Sequence, residues 1–167
     1  MPLLVIGHII GTVLGAGAAT FAEILHMRAM RDGAIDPEES ATLKVTYRIL
    51  RIGLFLAIIT GFGFLLYFRF VSGHTEILYS EKLWAKMTIV LLIPLNAFLL
   101  QMRRIPFWLG SSISLTAWYA AIILGVYRGV PFSYLEILGI FAAAVLVMAA
   151  VLVLIRKSYY KIASIKP

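Results

Sequence analysis

PLLVIGHIIGTVLGAGAATFAEILHMRAM, residues 2–30, is the stretch on which the architecture turns. It exceeds the roughly 20 residues a helix needs to cross a bilayer, yet it is crowded with glycine and alanine. Gly7, Gly11 and Gly15 recur every four residues, Ala19, Ala22 and His26 continue the stripe, and His8 lies beside it. Helices in lipid gain little from hydrophobic attraction and associate by close van der Waals packing. A small-residue stripe therefore predicts a helix that others press against, placed at the centre of a bundle.

Composition supports a lipid setting. The chain is 167 residues long, 62% hydrophobic and only 14% charged. An aqueous domain of that length has too little interior to bury so much apolar surface. The leading apolar run lacks a basic segment before it and is followed by further spans, so it reads as a retained helix and not a signal peptide. Cysteine is absent, which removes disulfides, thiolate metal sites and iron–sulfur clusters. The net charge of +7 does not point to nucleic acid, because the basic residues sit at helix ends.

Working outward, four more apolar segments reach spanning length. The expected fold is an all-α integral membrane bundle of five transmembrane helices in a single domain, over about 2–30, 37–71, 80–103, 106–128 and 133–161. Asp36, Pro37 and Glu39 predict a capping box with proline at the first helical position. Ser72-Gly73-His74 ends the second helix. Pro94 predicts a kink in the third, where Asn96 is expected to bond the freed carbonyl of Val90 or the Thr60 region of helix two. Arg103-Arg104-Ile105-Pro106 is short enough to make helices three and four antiparallel neighbours. Tyr67, Trp84, Trp108 and Tyr127 fall near helix ends, the usual aromatic belt.

Basic residues divide unevenly between the two sides. Arg28, Arg31, Lys44, Arg48, Arg51, Arg103, Arg104, Arg156, Lys157, Lys161 and Lys166 collect on one, and Arg69, Lys82, Lys86 and Arg128 on the other. The positive-inside rule then predicts an outer N-terminus and a cytoplasmic C-terminus in the cell (inner) membrane.

Ionisable groups inside spans are costly and mark candidate sites. Near the outer end, His8 on helix one and Lys86 on helix three share a depth, with His74 and Glu136 at the same end. Near the cytoplasmic end, Glu23 needs a cation, and Arg48 or Arg51 is the expected partner in a structural ion pair. His26 and Met102 offer an imidazole and a thioether of the kind that ligate haem or copper. His8 and His26 are about 27 Å apart along one helix, at 1.5 Å per residue, and cannot share an iron.

The segment HIIGTVLGAGAATFAEILHMRAMRDG resembles the first helix of a set of uncharacterised bacterial polytopic membrane proteins, and KLWAKMTIVLLIPLNAFLLQMRR resembles their third. More distantly, a histidine early in helix one with Trp84-Ala85-Lys86 in helix three is similar to the haem-containing membrane protoporphyrinogen oxidases and the copper-resistance D membrane proteins. That resemblance implies His8 as an axial ligand of haem b or a metal ligand, and Lys86 beside a propionate or substrate acid. A histidine late in helix three of the relatives is matched here by Asn96 or Gln101, and aromatic positions after the first histidine by Gly15 and Ala16. The function expected is a haem-binding, redox-active membrane protein. Its alternatives are a non-enzymatic subunit of a larger membrane complex and a small-solute transporter flexing at Pro94 and Gly61–Gly63. Expected partners are the lipid bilayer and other membrane helices or further copies of the chain, with no nucleic acid.

Overall fold

The computed structural model describes residues 1–29, 35–73, 75–127, 129 and 131–163, with side chains as far as position 158. Its helices are α1 (Pro2–Ala29), α2 (Pro37–Phe70), α3 (Glu81–Gln101), α4 (Phe107–Val126) and α5 (Tyr134–Ala163), with a 3-10 turn at Thr75–Tyr79 between α2 and α3. No strand occurs among the described residues. All five helices are long and apolar enough to cross a membrane, the make-up of a multi-pass membrane protein.

Local chemistry sets the boundaries. The Asp36 carboxylate accepts from the Glu39 N–H at 2.8 Å, and the Glu39 carboxylate accepts from the Asp36 N–H at 3.1 Å, closing the expected capping box with Pro37 next to it. After α2, Gly73 takes φ +70°, a backbone state that suits a residue without Cβ. Ser80 caps α3 by accepting from the Leu83 N–H. α3 runs through Pro94 as one helix. The turn into α4 uses Arg103 at φ 56°, and the helix folds straight back on its predecessor.

Packing then separates two groups. α1 lies along α2, while α3, α4 and α5 pack together, and α1 touches α4. The α1–α2 contact is backbone against backbone. A Cβ on Gly11 would stand 2.7 Å from the Ala57 nitrogen, and one on Gly53 would stand 2.5 Å from the Gly15 nitrogen. The stripe predicted on α1 is thus used, with Gly53 and Ala57 as its counterpart. One face of Gly15 also receives the indole of Trp118 from α4, filling the space a Cβ would need.

The most enclosed helix is α4 and not α1, a correction to the expected centre. α4 buries small residues on several faces, including Gly110, Ser112, Ala117 and Ala121, and meets α1, α3 and α5. α1 is small along one stripe only and leaves Leu3, Ile9, Val13 and Phe21 exposed.

Asn96 also departs from expectation. Its Nδ2 donates to the Gly110 carbonyl at 2.8 Å, not to Val90 or to the Thr60 region. The reason is topological: the tight turn brings α4 against α3, whereas α2 and α3 form no packed interface. Asn96 is only 4% exposed and its Oδ1 has no partner among the described residues. An Asn96→Leu variant is expected to lose about 1 kcal/mol, the usual size of an interhelical hydrogen bond in a membrane. Denaturation in mixed detergent micelles measures it, and an unchanged midpoint would deny the bond a stabilising role.

Candidate functional site

Two polar clusters occupy opposite halves of the bundle. The first begins at His8, one of few polar side chains in the leading half of α1. Its Nδ1 is 3.0 Å from the Thr60 hydroxyl of α2. The Thr60 hydroxyl donates its single proton to the Leu56 carbonyl at 2.6 Å, so it can only accept from the ring. Nδ1 therefore carries the proton, and in the neutral imidazole Nε2 keeps its lone pair. The Phe64 ring meets the imidazole edge-on, with centroids 5.5 Å apart, and Gly61 leaves room beside the ring.

Lys86 of α3, expected at the depth of His8, lies close enough for its charge to bear on the ring. The ammonium lies beside Gly125 of α4, where an added Cβ would be 3.2 Å from Nζ. Among the described residues the one ion pair is elsewhere, between Glu23 and Arg156, and Lys86 has no carboxylate bound to it. Glu136 does not join this site: its carboxylate accepts from the Ser133 N–H and hydroxyl at the start of α5. His74 lies outside the described residues.

The second cluster surrounds Glu23, which is 4% exposed. Its Oε1 accepts from Arg156 Nε at 3.0 Å and from Nη2 at 2.5 Å. Nη2 also donates to the Ser111 hydroxyl at 2.9 Å, so the guanidinium joins α1, α4 and α5. The expected partners, Arg48 and Arg51, are not the ones used. Both lie on exposed faces of α2, while Arg156 sits about two turns from the end of α5, matching the depth of Glu23 from the end of α1. His26 stacks on Phe107 with centroids 3.9 Å apart, and Arg156 covers the same ring at 5.4 Å. Met102 is the exposed C-cap of α3.

Thr60 and Arg156 are the residues that sequence reasoning passed over. Counting depth from the helix ends would have found Arg156. No group of three or more His, Cys, Asp or Glu side chains comes together among the described residues. Compared with known proteins, the chain matches no family model, no curated protein and no solved structure.

Proposed function

We propose that this is a haem-associated, redox-active protein of the cell (inner) membrane, with its N-terminus outside and His8 as the single protein ligand to haem b. The observation that carries the reading is the contact of His8 Nδ1 with the Thr60 hydroxyl: with the Nδ1 proton given there, Nε2 keeps a lone pair for a ligand. A metal-binding imidazole ordinarily donates its other N–H in this way, which fixes the ring and raises its basicity. Lys86, a cation with no protein carboxylate bound to it among the described residues, suits a propionate. The other described histidine, His26, is about 27 Å away along α1, so the donor set fits a haem with one protein axial position. When bound, the haem would supply one-electron or oxygen chemistry at its iron. The chain's part is to ligate through His8, orient the ring through Thr60 and neutralise acid through Lys86. The uneven distribution of basic residues supports the orientation.

Protein expressed with haem precursor supplied and purified gently is expected to show a Soret band and a positive pyridine haemochrome assay. His8→Ala should abolish both. Thr60→Val should weaken haem retention by about 10–100-fold, the usual cost of losing an outer-shell partner of a metal-ligating histidine. Wild-type protein without either signal would overturn the reading.

A further inference from the structure

The structure holds a second feature at the His8 end of the bundle, independent of the haem reading. α2 and α3 follow one another in sequence but make no packed interface, and the 3-10 turn Thr75–Tyr79 bridges them. The gap forms a groove of about 250 Å³ lined by Leu65, Leu78, Leu83, Trp84 and Met87, with Arg69 the one charged residue along it. Trp84 is fixed in place by its indole N–H, which donates to the Leu78 carbonyl at 3.0 Å, and its ring is 59% exposed. Arg69 is in the last turn of α2, where a long cationic side chain reaches headgroup level. It is exposed and has no protein partner among the described residues.

We propose that this groove is a binding site for one acyl chain of an anionic phospholipid, whose phosphate is held by Arg69. The walls supply apolar contact over about one helical turn, enough for the segment of a chain next to its headgroup, and the guanidinium meets a phosphate with paired donors. Trp84 stands at the depth where an amphipathic ring borders the headgroups. A neighbouring helix is a poorer occupant. With side chains it is about 10–12 Å across and would lie over the groove without entering it.

The test is native mass spectrometry of the whole chain in mild detergent, titrated with phosphatidylglycerol or phosphatidylcholine. The first phosphatidylglycerol is expected to bind about fivefold more tightly than the first phosphatidylcholine, the effect of one basic residue near a membrane surface. Arg69→Gln should erase that preference, Arg69→Lys should retain much of it, and Arg104→Gln at the other end of the bundle should leave it intact. Met87→Trp, which fills the groove, should remove the first site for both lipids. Equal affinity for the two lipids, a preference that survives Arg69→Gln, or a first site that survives Met87→Trp would each overturn the proposal. So would a dimer peak lost on Met87→Trp without any lipid preference, which would assign the groove to a second copy.

Discussion

Glu23→Ala is expected to destabilise the bundle by about 3–5 kcal/mol, the cost of leaving one partner of a buried ion pair without its counter-charge. The stranded group is Arg156, whose guanidinium would keep only the Ser111 hydroxyl and the face of Phe107. It is poorly placed to escape, because its side chain is only 15% exposed. The size of the effect comes from desolvation and not from the attraction itself. Replacing both partners by apolar residues, as in Glu23→Leu with Arg156→Met, is therefore expected to recover most of the loss. Reversible unfolding in mixed micelles gives both values. A single variant within about 1 kcal/mol of wild type would mean that the pair is solvated by water or headgroups, and a double variant as damaged as the single would mean that its geometry matters beyond charge.

Gly53→Leu is expected to be the most damaging apolar substitution. Most overpacked sites cost about 1–3 kcal/mol because side chains and backbone shift to make room. Here the obstruction is backbone on every side: a Cβ would meet the Gly15 nitrogen at 2.5 Å, the Gly11 oxygen at 2.8 Å and the Gly15 Cα at 2.9 Å. No rotamer change relieves that, so α1 and α2 must move apart along their shared length, and the expected loss is at or above the top of the range. Gly17 on α1 is the control. A Cβ there meets nothing within 4 Å, and Gly17→Ala should be neutral or stabilising by up to about 1 kcal/mol through helix propensity. Equal behaviour of the two variants would show that helix propensity alone, and not close approach, governs these glycines.

Much of this was legible in the amino-acid order because lipid imposes simple rules. Span number and helix ends follow from apolar length and from caps such as Asp36 and Glu39, which act locally. The glycine stripe of α1 announced an interface for the same reason, since small residues have little other use there. What the order concealed was which helix faces which. Asn96 was matched to the Val90 carbonyl or to α2, yet it bonds α4, because a five-residue turn brings α4 back beside α3. Glu23 was matched to arginines at the start of the next helix, Arg48 and Arg51, whereas its partner comes from α5, 133 positions away. The shared depth of His8 and Lys86 was legible because depth is nearly additive along straight helices. The role of Thr60 was not, since a threonine within a span carries no periodic signal of its own.

The bridge between α2 and α3 bears on how the protein is made. Since α2 rests mainly on α1, the first hairpin can reach its final pairing while the remainder is still being synthesised. The later three helices form a body of their own, seated on the first by the Trp118 ring in the notch at Gly15 and by the Arg156 clasp on Glu23. Biogenesis then reduces to joining two prefabricated parts across a seam. Errors in it would appear as a correctly inserted chain whose halves have failed to meet.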